Sequence, residues 1–374
     1  MTTAAVDRIL AILVTAVVAT GLLTLRAGDP SASAVYTAHG ILAWTLAATI
    51  ALKLGRSLPR AVAGRRWGRL AVASAVALLG LSAIAGGVAW ATGDRIVTIA
   101  GWTLLTLHAY AGLALVPLLL AHLVPRRWRL LWPGRWLRAW VGRGSASGRG
   151  SGTGRGTGPG HGSDAGHPAT DRRAAAASGP PIRLSRRSVV AAVVLSAVGV
   201  AGWGAANVIE AIRGGARRFT GSRWLTRNGI PPPTTFFGEG TPPIDPGEWR
   251  LVVRGRVARP GTYTLEQLRA LGSTELVAVL DCTSGWAMET TWGGVPTAAV
   301  LAAAGPEPAA SRVDVRSVTG WGAAFSLEEA GRTLLATHVA GEPLPAGNGA
   351  PCRLVVPDRR GLDWVKWVAE IEVA

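Results

Sequence analysis

The sequence predicts an α+β protein built in two parts. An all-α transmembrane bundle of four helices plus a fifth, anchoring helix comes first, and a β-rich mixed domain follows. Three observations carry this. The chain of 374 residues is 49% hydrophobic and only 16% charged, too apolar for an ordinary soluble protein of its size. Its first third is a series of apolar runs separated by short loops. From about Trp249 the pattern changes to short alternating runs bounded by Gly and Pro.

The apolar runs span residues 9–25, 35–54, 70–91 and 102–124, and a fifth spans 188–209. Each is long enough to cross about 30 Å of hydrocarbon as a helix. Trp44, Trp67, Trp90, Trp102 and Trp128 lie in or beside them, several near the ends, as an interfacial belt requires.

The loops alternate in charge. Residues 55–69 carry Arg56, Arg60, Arg65, Arg66 and Arg69, and 126–187 carry many more, whereas 27–34 and 92–101 have few. The positive-inside rule places the N-terminus and both Arg-rich stretches in the cytoplasm. Five spans then leave everything after Ile209 outside. The net charge of +17 thus records membrane topology, and a nucleic-acid partner is not expected. Between Gly142 and Pro181 the Gly, Ser, Ala and Arg composition predicts a disordered cytoplasmic linker, with His161 and His167 solvated. The expected organisation is a membrane domain at 1–125, a linker at 126–187, an anchor helix at 188–210 and an extracytoplasmic domain at 211–374. The run Leu184-Ser185-Arg186-Arg187-Ser188-Val189-Val190 resembles a twin-arginine export signal. Two further inside-positive charges are the other reading.

His39, His108 and His122 lie in the first four spans. His108 and His122 are fourteen residues apart, which puts both on one helix face about 21 Å apart. This spacing resembles the two-haem arrangement of cytochrome b. Spans two and four run in the same direction, so His39 and His108 lie at similar depth near the outer surface, where one b-type haem would take both as ligands. Fourteen residues past His39 stands Lys53, so His122 lacks the usual second partner. One outer haem, no haem, or an unusual inner site stay open. Intramembrane ionisable groups are functional candidates, and snorkelling toward the interface is the alternative for Lys53.

In the last third, strands are expected at 249–253, 254–257, 312–318, 352–356 and 365–373, with Thr264 capping a short helix. Residues 275–281 read as a buried strand that delivers Cys282 to its end. Cys282 and Cys352 are the only cysteines, which excludes a disulfide framework or a Cys-rich cluster. Cys352 interrupts an expected strand and reads as a buried structural thiol.

Four motifs follow in order: Leu280-Asp281-Cys282-Thr283-Ser284-Gly285-Trp286, Trp292-Gly293-Gly294-Val295-Pro296, Gly349-Ala350-Pro351-Cys352-Arg353-Leu354-Val355-Val356-Pro357 and Trp364-Val365-Lys366-Trp367. Together they resemble the sulfite oxidase family of molybdopterin-dependent oxidoreductases. The resemblance implies a molybdenum–molybdopterin cofactor with Cys282 as the metal ligand, a role suited to a soft thiolate. It further implies that Arg353 and Lys366 supply positive charge to the pterin phosphate. Trp364 and Val365 would border the pterin, and Asn348 stands where relatives have a His contact. Lys366 is one of only two lysines, consistent with a point-charge role that Arg fills poorly. Phe237 and Gly238 fall in the loop corresponding to the family's Asn-His cofactor loop but lack both residues. No dimerisation domain is expected after the Lys-Trp motif, as in bacterial periplasmic members of the family.

Where sulfite oxidases carry Gly-Asn-Arg after the ligand Cys, this chain has Gly285-Trp286. With Trp321 and Phe325, this argues against sulfite and leaves the substrate open. The expected activity is oxygen-atom transfer outside a bacterial cell membrane, with electrons exchanged through the outer haem, the quinone pool or a separate partner. A non-catalytic sensor that kept the fold and lost the cofactor is the alternative. Retention of Cys282, Arg353 and Lys366 together weighs against it.

Overall fold

The computed structural model describes residues 3–63, 67–131, 186–213, 216–234 and 239–374. The five apolar runs form helices α1 (Thr3–Thr24), α2 (Ser33–Ala63), α3 (Trp67–Thr92), α4 (Leu104–Leu131) and α5 (Arg186–Arg213). Three stretches are long and apolar enough to cross a membrane: Pro30–Pro59, Ser74–Thr92 and Val189–Arg213. Among the described residues, α1 and α4 carry shorter apolar stretches, Ile9–Thr24 and Leu104–Leu118. The bundle turns large apolar side chains outward, among them Ile12, Leu78 and Val193, a surface that lipid tolerates and water does not. Most of the expected linker lies outside the described residues, and Arg186 of the twin-arginine-like motif opens α5.

Small residues let the helices approach closely, as in membrane bundles. A Cβ on Gly202 would lie 2.7 Å from the Trp44 ring, and one on Gly40 would lie 2.6 Å from the Trp203 ring. The two Trp–Gly pairs therefore interlock α2 and α5. α1, α3 and α5 finish at the end of the bundle where α2 and α4 begin: Arg213 donates to the Thr92 carbonyl at 2.7 Å, and the Tyr36 hydroxyl to that of Thr24 at 2.8 Å. A small hairpin, β1 (Thr98–Ile99) and β2 (Trp102–Thr103), joins α3 to α4 there.

The β domain sits on that end. Its strands are β3 (Arg223–Trp224), β4 (Leu251–Gly255), β5 (Gly261–Tyr263), β6 (Thr274–Asp281), β7 (Trp286–Pro296) and β8 (Arg312–Ser317). They continue as β9 (Gly322–Ser326), β10 (Leu334–Val339), β11 (Glu342–Pro343), β12 (Arg353–Val355) and β13 (Val368–Val373). One sheet runs β11-β10-β7-β3, with β12 also paired to β10 and β6 to β7. The other runs β5-β4-β13-β8-β9, with β4 and β13 parallel. The shared core includes Leu251, Trp292, Leu335, Leu354 and Ile371.

Thr264 caps α6 (Leu265–Ala270) in a capping box with Gln267, as its Thr-x-x-Gln spacing dictates. The structure corrects several strand expectations. In place of two strands at 249–253 and 254–257 there is one, β4, over Leu251–Gly255. The strands expected at 352–356 and 365–373 shorten to β12 and β13. β6 exposes Thr274, Glu275 and Val277 and becomes buried only toward Asp281. Its free face at the start is the edge of a sheet, since β6 pairs with β7 alone. β7, an eleven-residue strand, passes unread in the sequence because two glycines interrupt it. Gly294 is needed there, since a Cβ would lie 2.6 Å from the Ala336 Cα on β10.

Candidate active site and helix-bundle cavity

Cys282 opens the tight turn joining β6 to β7. Its N–H donates to the Trp286 carbonyl at 2.8 Å, and Gly285 donates back to the Cys282 carbonyl at 2.9 Å. Gly285 closes the turn at φ +103°, a conformation L side chains rarely adopt. The thiol is half-buried, with the Ser284 hydroxyl 3.0 Å away. It faces a cavity whose other walls include Trp321, Leu362, Arg353, Trp364 and Lys366. The enclosed part measures about 90 Å³ and borders Thr234 and Glu239, which flank the segment 235–238.

A buried guanidinium and a half-buried ammonium stand opposite the thiol. Arg353 leaves β12 between the rings of Trp292 and Trp364, 5.4 and 5.7 Å from their centres. It donates to the Asn348 carbonyl at 3.0 Å, while its buried Nε has no hydrogen-bond partner. Burial pushes its pKa down to about 10, opposed by the nearby Cys282. Lys366 donates to the carbonyls of Thr234 and Gly347, both at 2.7 Å. Burial, and then the Arg353 charge, push its pKa down to about 8, while Cys282 and Glu239 oppose the shift. A buried guanidinium with an unmatched donor, beside a second cation, favours an anion in the cavity. Cys352 is fully buried and its thiol is pushed up by that burial.

The structure therefore brings Cys282, Arg353, Trp364 and Lys366 around one cavity. Asn348 stands behind Arg353, its amide donating to the Pro231 carbonyl at 2.9 Å. Val365 is buried beneath the cavity, with its carbonyl accepting from Leu354. Phe237 and Gly238 lie outside the described residues.

Sequence reading passed over the polar cluster behind Cys282. Asp281 is fully buried and accepts from Arg218 at 2.8 Å, Thr220 at 2.7 Å and Ser222 at 2.6 Å. Arg360 also reaches it, and donates to the carbonyls of Cys282 at 3.0 Å and Thr24 at 3.1 Å. The Cys282 turn is thus tied to the end of α1. It also rests on β2 and α3: Thr103 donates to the Ser284 carbonyl at 2.7 Å, and the Trp90 ring fills the space that a side chain at Gly285 would need.

A second cavity of about 720 Å³ lies among the helices. His39 and His108 face each other in it, with ring centres 6.1 Å apart and planes at 85°. The Nδ1 of His39 bonds the Val17 carbonyl at 3.1 Å, and that of His108 bonds the Ala83 carbonyl at 2.6 Å. Both rings are thereby oriented with Nε2 as the remaining nitrogen. Gly87 makes room for His108, since a Cβ there would lie 3.0 Å from its ring. Thr283 lines both cavities. At the other end of the bundle Lys53 pairs with Asp7 at 2.8 Å. His122 lies on α4.

Residues 239–374 match the family model described as oxidoreductase molybdopterin binding domain. The chain is 33% identical over 163 residues to the protein-methionine-sulfoxide reductase catalytic subunit MsrP of Xanthomonas axonopodis pv. citri, covering 36% of this chain and 51% of that one. With the MsrP of Gluconobacter oxydans it is 34% identical over 148 residues, covering 34% and 47%. The chain thus spans about half the length of the curated relatives it matches. Among solved structures, the sulfane dehydrogenase SoxCD of Paracoccus pantotrophus matches at 28% identity with a TM-score of 0.35, covering 36% of this chain and 40% of that one. Residues 239–374 of this chain are thus similar to an oxidoreductase molybdopterin binding domain.

Proposed function

We propose that this chain is a membrane-bound, molybdopterin-dependent oxidoreductase of the sulfite oxidase family. It would perform oxygen-atom transfer outside a bacterial cytoplasmic membrane and exchange electrons with that membrane through a haem or quinone. The observation that carries this is the pairing, in one cavity, of the Cys282 thiol with buried Arg353 and half-buried Lys366. A dithiolene-bound metal with a phosphate tail needs a soft ligand at one end and cations at the other. The unmatched Nε of Arg353 is a donor such an anion would satisfy. The bound cofactor would supply two-electron oxygen-atom transfer. The residues around it hold and orient: Cys282 ligates, Arg353 and Lys366 bind the anionic tail, and Ser284 donates toward the thiolate.

The substrate side bears Trp286, Trp321 and Leu362, and no Arg follows Cys282 in its turn. An uncharged acceptor such as a sulfoxide suits these walls better than an oxyanion, and two similar proteins are named methionine-sulfoxide reductase subunits. Reduction of a sulfoxide is therefore the reaction we assign.

The histidine cavity supports a single b-type haem. His39 and His108, with ring centres 6.1 Å apart and Nε2 uncommitted on each, would hold its iron between them. Each ring donates its other N–H to a carbonyl, the usual device that fixes a ligating His. The test is molybdenum and pterin content of the detergent-extracted chain, wild type against Cys282→Ala. Near-stoichiometric pterin in both, with the metal lost or altered in the variant, is expected. A folded wild type made in cofactor-competent cells with neither molybdenum nor pterin would overturn the reading.

A further inference from the structure

The histidine cavity carries a charge that its own walls do not balance. Three guanidiniums line it at the end nearest the β domain: Arg217, Arg218 and Arg360. A fourth, Arg223, stacks on Trp90, a wall of the same cavity. The buried or half-buried carboxylates that face them are Glu210, 2.8 Å from Arg217, and Asp281, shared by Arg218 and Arg360. Asp29 and Asp94 act on Arg218 and Arg223 from exposed positions. Four cations against two buried carboxylates leave two positive charges in a low-dielectric wall, an arrangement that an anionic ligand would relieve.

The donors are not equally free. Arg217 pairs with Glu210 and donates to the carbonyls of Trp90, Gly93 and Gly221, its buried Nε alone making no hydrogen bond. Arg360 is spent on Asp281, Ser222, Thr24 and Cys282. Arg218 makes one hydrogen bond of this kind, from Nη1 to Asp281, out of the five N–H donors of a guanidinium. Its place is fixed by contact with the neighbouring ring of Phe219, which meets Tyr36 edge-on at 5.6 Å. Tyr36 lies three residues before His39 on α2, about one helical turn closer to the β domain.

We propose that this end of the cavity is a carboxylate site that takes the propionate arms of the haem held by His39 and His108, with Arg218 as its principal donor. The proposal rests on the haem reading above. It assigns the iron to the membrane helices and the carboxylates to the segment entering the β domain, so the haem is gripped by both parts of the chain. Because Arg218 shares Asp281 with Arg360, and Arg360 holds the Cys282 carbonyl, one carboxylate links this site to the turn of the molybdenum ligand.

The test uses the full chain in detergent, stripped of haem and titrated with haem b or with its dimethyl ester, whose propionates are masked. Wild type is expected to bind haem b about tenfold or more tighter than the ester, as loss of a charge-assisted hydrogen bond predicts. Arg218→Gln should bring the two affinities together, and Arg218→Lys should restore much of the difference. Equal affinities for acid and ester in wild type, or a difference that Arg218→Gln leaves intact, would overturn the carboxylate site while leaving the haem standing. Absence of a six-coordinate, low-spin haem spectrum with either porphyrin would remove the haem reading itself, and this proposal with it. Since Arg218 also bonds Asp281, folding of each variant is checked by the denaturation midpoint. A Gln variant that fails to fold is replaced by Arg218→Met, in which a preference for haem b over the ester as large as that of wild type would again refute the site.

Discussion

Arg360 grips Asp281 through two guanidinium nitrogens, Nη2 at 3.1 Å and Nε at 3.3 Å, and the carboxylate it holds belongs to the residue just before the molybdenum-ligand candidate. Neither side chain is accessible to water to any extent, at 4% and 0% exposure. Removing one member leaves the others as uncompensated buried charge. Asp281→Ala should therefore destabilise the β domain by about 3–5 kcal/mol, read from chemical denaturation of the purified chain. Asp281→Asn keeps an acceptor for Thr220 and Ser222 and should cost less. A loss below about 1 kcal/mol for the Ala variant would show the cluster to be solvated.

The Cys282 turn meets the bundle where Gly285 lies against Trp90. Gly285→Ala imposes both a strained φ, about 1–3 kcal/mol, and a clash with the indole. The expected result is a displaced turn: lower stability of the β domain together with faster proteolysis between α5 and β3. Gly285→Ala combined with Trp90→Ala should recover the steric part only. Equal losses in the single and double variants would mean the clash contributes nothing.

How far the sequence revealed this arrangement depended on the range of the interaction. Apolar runs long enough for helices, the capping box at Thr264 and the strand leading to Cys282 are written in neighbouring residues, and all form. Helix direction and depth pair His39 with His108, and their ring centres stand 6.1 Å apart. The cluster around Asp281 was invisible because Arg218, Ser222 and Arg360 converge on it from segments 59–79 residues away. Arg360 is one of many arginines, and nothing local distinguishes it. Motif position puts Asn348 where relatives have a His contact, and its amide donates to the Pro231 carbonyl. β7 was missed because its glycines, required for close approach to β10, mimic a turn.

Cys282 and Cys352 should differ sharply toward thiol reagents in the cofactor-free chain. Cys282 is partly open to the cavity, whereas Cys352 is sealed and its thiol is held protonated by burial. Only thiolates react quickly. One maleimide per native chain is expected, located at Cys282 by peptide mapping, and two after denaturation. Prompt labelling of Cys352 in the native chain would contradict the packing around β12.

Lys366 gives the cavity a dependence on pH. Its folded pKa lies near 8, lowered from 10.5 mainly by burial. Between these values the unfolded chain holds a proton that the folded chain has released, so stability of the cofactor-free domain should rise with pH from about 8 toward 10.5. Anion binding runs the other way, because it needs the ammonium form. Affinity of the cofactor-free chain for a phosphate-bearing pterin should therefore fall as pH passes 8. Lys366→Arg, which stays charged, should flatten that fall even if it weakens binding throughout, and Lys366→Met should abolish the pH dependence and lower affinity at pH 7. Isothermal titration across this range measures both. An affinity for the phosphate-bearing pterin that is independent of pH in wild type would place the phosphate away from Lys366.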